Sequence, residues 1–121
     1  MSLIIRELVQ ITAPSYFKIE LTNIKDSSGN PIDLQQTGIT FLFTDQYSNK
    51  YMCCYDPLNE HTKNCVYDSV EGKLTLVFQD YTLRDRLKCK ICSFVADPDF
   101  TEGVWKSYDK FDPVNITIKW Q

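Results

Sequence analysis

The chain is poor in histidine, glycine and long apolar runs. It has one histidine, His61, and four glycines in 121 residues, so collagen-like repeats and glycine-rich flexible linkers are excluded. No window approaches the roughly 18 consecutive apolar residues of a spanning helix, and a membrane is not an expected partner. The start, Met1-Ser-Leu-Ile-Ile-Arg-Glu, lacks the basic leader and apolar core of a secretory signal, which points to synthesis in a cytoplasm. Positive charge is not in excess either. Thirteen basic residues stand against 16 acidic ones, a formal charge of −3, and such a field mildly repels phosphate backbones. Nucleic acid is therefore not an expected partner. The five cysteines, Cys53, Cys54, Cys65, Cys89 and Cys92, form no even framework, as expected of free thiols in a reducing compartment.

What is present is the material of one globular domain. Hydrophobic residues make up 43% and aromatics 13%, enough to bury a core at this length, and residues 1–121 read as a single unit. The dominant period is two, which is that of a strand with one face on a core. Phe17, Ile19 and Leu21 alternate with Lys18, Glu20 and Thr22, and Ile39, Phe41 and Phe43 with Thr40 and Thr44. The polar turn Asp45 to Asn49 closes that second run into a hairpin with Lys50 to Tyr55. A short strand is expected over 64–67, and others over Lys73–Gln79, Arg86–Ala96 and Val114–Trp120. The cluster from Asp26 to Asp33, the polar stretch 56–63 and the stretch from Asp97 to Gly103 have the chemistry of turns and loops. Only Tyr81 to Arg86 is open to a helical turn. Short strands recurring every 10 to 15 residues predict an all-β fold, an immunoglobulin-like antiparallel β-sandwich of about 7–9 strands.

The groups that could carry chemistry each have a plainer reading. Cys89 and Cys92 have the spacing of a redox pair or half a zinc site, but in a strand residues three apart point to opposite faces. Adjacent Cys53 and Cys54 diverge in the same way, so a mixed zinc site with His61 and Cys65 is not expected. His61, beside Glu60 in a polar loop, leaves a Cys–His or Ser–His arrangement open in principle, but a lone loop histidine is ordinarily just solvated. Asp97, Asp99 and Glu102 could offer oxygen ligands, yet Asp-Pro-Asp equally makes a turn. We expect no catalytic residue, no metal ligand, no cofactor and no enzymatic activity. Asn115-Ile-Thr117 matches a glycosylation acceptor and reads as an ordinary strand segment. Tyr47, Tyr51, Tyr55, Trp105, Tyr108 and Phe111 lie near expected turns or strand ends, where aromatic rings can fill a partner's pockets or stack on sugars. Trp105, Tyr108 and Phe111 are the foremost interface candidates among them. The N-terminal run through Thr12, with Leu3, Ile5, Leu8, Val9 and Ile11, is apolar and β-rich. Residues 1–14 are thus either a docking strand or arm, or simply the first strand of the sandwich.

Two stretches carry a resemblance. They are Lys18-Ile-Glu-Leu-Thr-Asn-Ile-Lys-Asp26 with Gly29-Asn-Pro-Ile-Asp-Leu34, and Gly72-Lys-Leu-Thr-Leu-Val-Phe78 with Tyr81-Thr-Leu83, Leu87-Lys-Cys89 and Asp97-Pro-Asp-Phe-Thr-Glu-Gly103. Over roughly residues 15 to 120 the chain resembles the small immunoglobulin-like structural proteins of Bacteroides-infecting, crAss-like tailed phages and prophages. It is more loosely similar to the N-terminal domains of baseplate upper proteins. It departs from them at Arg84-Asp85-Arg86, where a Pro-Gly turn would be expected, and in the detail of its last strand. The resemblance implies a structural part of a virion, in a tail, baseplate or head-fibre adaptor, made in the bacterial host cytoplasm. Its implied partners are other virion structural proteins and copies of itself in a homo- or hetero-oligomer. The competing expectation is a β-sandwich module that binds carbohydrate or a cell surface.

Overall fold

The computed structural model describes residues 9–13, 15–22, 37–57, 62–97, 99–107 and 112–120. These residues form nine strands and no helix: β1 Val9–Ala13, β2 Phe17–Thr22, β3 Thr37–Thr44, β4 Lys50–Tyr55, β5 Cys65–Asp68, β6 Lys73–Phe78, β7 Asp85–Asp97, β8 Phe100–Ser107 and β9 Asp112–Trp120. A large sheet has the order β1-β9-β7-β3-β4, with β8 also paired to β7, and a small sheet has the order β2-β6-β5. Strands two, six and five opposite nine, seven, three and four make the immunoglobulin arrangement, B-E-D facing G-F-C-C′. The chain folds as an immunoglobulin-like β-sandwich.

Alternation explains the core directly. Ile19 and Leu21 of β2 and Leu74, Leu76 and Phe78 of β6 face Ile39, Phe41 and Phe43 of β3, Leu87, Cys89 and Ile91 of β7 and Val114, Ile116 and Ile118 of β9, all in one buried cluster. The residues between them, mostly polar, look outward. Phe78 lies at the aromatic centre. It stacks on Phe17 at 4.5 Å and on Tyr51 at 5.0 Å, and it meets Phe43 of the other sheet edge-on at 5.0 Å. Antibody domains tie β2 to β7 at this place with a disulfide; here β2 has no cysteine and none of the five cysteines is in a disulfide. The sheets are held by packing, and by Tyr51, whose hydroxyl donates to the Val77 carbonyl at 2.8 Å and accepts from the Gln79 amide at 3.1 Å.

Four details differ from the sequence expectations. The sandwich is not wholly antiparallel, because β1 runs parallel to β9, with Val9 opposite Ile116 and Ala13 opposite Trp120; alternation is blind to strand direction. The segment 81–84 is extended rather than helical, and Leu83 is fully buried with Tyr81 nearly so. Turn chemistry ends earlier than Gly103, because Asp97 pairs with Phe100 and β8 starts there. The short fifth strand begins at Cys65, since Asn64 takes a left-handed φ of 57°, a conformation that asparagine tolerates. The expected hairpin of β3 and β4 is present, with Thr44 opposite Lys50 and Ile39 opposite Tyr55. Strand β7 is the hub of the large sheet. One side pairs with β3; the other pairs with β9 from Asp85 to Cys89 and with β8 from Cys92 to Asp97.

Candidate functional site

At one end of the sandwich three connections and a strand end meet: the residues before β2, the β3–β4 turn, the β6–β7 connection and the last residue of β9. Asp45 organises them. Its Oδ1 accepts the amides of Tyr47 at 2.8 Å and Asn49 at 2.9 Å, and its Oδ2 accepts the Asn49 side-chain amide at 2.9 Å and the Arg84 amide at 2.8 Å. One carboxylate thus closes the β3–β4 turn and pins the β6–β7 connection to it. Burial by itself pushes the acid upward, but the bonds from Asn49, Arg84 and Tyr47 outweigh it and hold Asp45 below the usual carboxylate value.

The fixed backbone presents a rim of large side chains. Tyr16 is 72% exposed, Tyr47 55% and Trp120 39%. Each is anchored by its polar atom while its ring stays in contact with water. Tyr16 donates to Asp80 at 3.5 Å and Tyr47 to Asp85 at 2.9 Å, while the Trp120 indole donates to the Leu83 carbonyl at 2.8 Å. The Arg84 guanidinium lies 5.9 Å above the Trp120 ring, and Tyr81 meets that ring edge-on at 6.2 Å. Tyr81 in turn donates to the Ser15 carbonyl, and Thr82 reaches Asn49 at 3.3 Å. Asp80 and Asp85 adopt left-handed φ values of 54° and 58°, and so turn their carboxylates toward the two tyrosines. Trp, Tyr and Arg are the residue types that dominate binding energy at protein interfaces. Rings already held by hydrogen bonds lose little rotamer freedom on docking.

The cysteines lie as strand geometry requires. Cys89 is buried and Cys92 half-buried on the opposite face of β7. Cys53 points into the core, while Cys54, on the outer face, is covered because Lys63 bridges to it on the free edge of β4 with bonds of 2.8 and 2.7 Å. Burial, then the neighbouring thiols Cys65 and Cys54, push Cys53 strongly up; burial and Cys54 push Cys65 up to about 12. These two are thiols rather than thiolates near neutral pH. The Cys65 thiol donates to the Cys54 carbonyl at 2.9 Å. Among the described residues no group of three or more His, Cys, Asp or Glu side chains is placed to hold a metal ion.

The residues singled out in the sequence are dispersed. Val9 and Ile11 lie in β1, paired with β9, and Trp105 lies in β8 opposite Phe94, inside a strand rather than in a turn. Leu3, Ile5, Leu8, His61, Tyr108, Phe111 and the Asp26–Asp33 loop fall outside the described residues. Tyr47 is at the rim. Tyr51 and Tyr55 are not: the first stacks on Phe78 and the second packs edge-on against Tyr67 at 5.2 Å. Tyr16, Arg84 and Trp120 escaped sequence reading. Trp120 continues the buried alternation of Ile116 and Ile118, and the one sign of its exposure is its place at the strand end. A scan of protein-family models and a search of the curated proteins return no match for the chain.

Proposed function

We propose that the chain is a non-enzymatic structural component of a phage virion, an adaptor in a tail, baseplate or head-fibre attachment that assembles through protein contacts. The observation that carries the assembly reading is the rim of Tyr16, Tyr47, Arg84 and Trp120, whose rings are anchored on Asp80, Asp85 and the Leu83 carbonyl while Asp45 fixes the backbone of Tyr47 and Arg84. The virion context comes from the resemblance of the β2, β6 and β7 segments to small phage immunoglobulin-like proteins. Cryo-electron microscopy of purified particles tests both parts. The expected map contains the sandwich at a fixed position, with this end against a neighbouring subunit. A rim facing solvent throughout the particle would contradict the assembly reading.

A second reading has one observation in its favour. Exposed rings beside Asp80, Asp85 and Gln46, whose amide lies 3.5 Å from Asp85, are also what a sugar-binding surface needs. A glycan array separates the two. Binding that disappears in Tyr47→Ala would favour carbohydrate recognition, and a silent array would count against it.

A further inference from the structure

The outer face of the large sheet is basic around one apolar spot, and the end of the β5–β6 hairpin is acidic around another. On the outer face of the large sheet, Lys50, Thr44 and Lys88 stand in one row across β4, β3 and β7, and Met52, Leu42 and Lys90 in the next. Arg86 and Lys119 extend the face toward β9 and β1, opposite Thr117 and Thr12. Among the described positions of this face none is acidic. Lys50, Arg86, Lys88, Lys119 and Met52 are exposed. Setting those four cations aside leaves nine of the thirteen basic residues against all 16 acidic ones, so the rest of the molecule is strongly negative.

The β5–β6 hairpin is the counterpart on the small sheet. Val66 and Val70 are exposed, Val70 at 94%, the most of any large apolar side chain described. Nearest to them are Asp68, Glu71 and Glu20, with the ammonium of Lys73 3.2 Å from Glu71 and 3.5 Å from Glu20; the other cation of this face, Lys18, stands farther along β2, opposite Val77. The hairpin is firm: Asp68 opposes Lys73 and accepts the amides of Val70 and Glu71, while Gly72 supplies the left-handed φ of 64° that the turn requires.

We infer that copies of this chain dock head to tail, the β5–β6 hairpin of one on the basic outer face of the large sheet of the next. Two basic faces repel each other, so a symmetric face-to-face dimer is disfavoured. A valine-centred acidic tip on a methionine- and leucine-centred basic face matches both apolar core and charged rim. Such a contact joins two different surfaces, and it therefore builds rings or open arrays rather than closed pairs. The inference deepens the assembly reading and rests on it only in taking the partner to be protein.

Sedimentation velocity on the full chain tests it, with wild type, Lys88→Glu and Glu71→Lys compared at about 0.05 M and about 0.5 M salt. The expected result is concentration-dependent association of the wild type, at least about tenfold weaker at the higher salt. Each variant alone is expected to stay monomeric, and their equimolar mixture to associate, because one retains an intact hairpin and the other an intact face. Should either variant lose the native circular dichroism spectrum, Val70→Asp or Lys50→Glu replaces it on the same side. A wild type monomeric at low salt, association indifferent to both substitutions, or a mixture that stays monomeric would overturn the inference. Membership of a particle is measured separately by copy number, so failure of self-docking and failure of the virion reading are distinct results.

Discussion

At the residue scale Asp45 has the most to lose. Four hydrogen bonds end on its carboxylate, and Asn in its place keeps the shape but loses the charge that strengthens them. Asp45→Asn is expected to lower stability by about 3 kcal/mol at neutral pH, read by denaturant unfolding. The pH dependence follows from the lowered folded value. Because the unfolded chain takes up the proton first, the stabilisation is complete above about pH 4 and fades as pH falls through the folded pKa. The gap between wild type and Asp45→Asn should therefore narrow on acidification; a gap that stays constant down to about pH 2 would remove the charge from the explanation. Cysteine reactivity gives a second residue-scale prediction. Cys53 and Cys65, buried and pushed up, should resist iodoacetamide at about pH 8 in the native protein and react once it is unfolded. Rapid native labelling of either, mapped by mass spectrometry, would contradict the placement of these thiols. None of this is written in the Asp45–Asn49 turn as sequence: turn residues are visible there, but not the distant Arg84 amide that makes Asp45 a latch.

At the element scale β6 is decisive, because its Phe78 touches three other rings. Phe78→Ala should cost about 3–5 kcal/mol, since the stack has no neighbour free to fill the space. Tyr51→Phe should cost only about 1 kcal/mol, because it removes one hydroxyl shared by Val77 and Gln79 and keeps the ring. Thermal or denaturant unfolding of the pair should give that ordering, and equal losses would show that the hydroxyl, not the ring, ties β4 to β6. The strands most legible in the sequence, β2, β3, β6 and β9, are those with strict alternation and one solvated face. Strand β8 was hidden, because Phe100-Thr-Glu-Gly-Val-Trp-Lys-Ser107 has a glycine and no clean period, and it forms by pairing with the long β7. The extended segment 81–84 was ambiguous for a related reason. Its order comes from Asp45, Ser15 and Trp120, all remote in sequence.

At the scale of the whole molecule, the proposed function puts the contacts on the surface of the sandwich. The exposed tyrosines of the rim and the exposed charges of the large sheet can each be altered without touching the buried cluster. Tyr16→Ala with Tyr47→Ala removes two exposed rings and two exposed hydrogen bonds. It should change stability by less than about 1 kcal/mol while preventing incorporation into particles. Normal incorporation of that folded double variant would place the essential contact elsewhere. The period of the strands, and with it the sandwich, is legible along the chain, but a rim assembled from residues 16, 47, 84 and 120 exists only after folding. The most direct measurement is quantitative mass spectrometry of purified virions against an isotope-labelled standard of this chain. A fixed copy number per particle, constant between preparations, is the result the account requires; its absence from particles, or a variable trace amount, would contradict it.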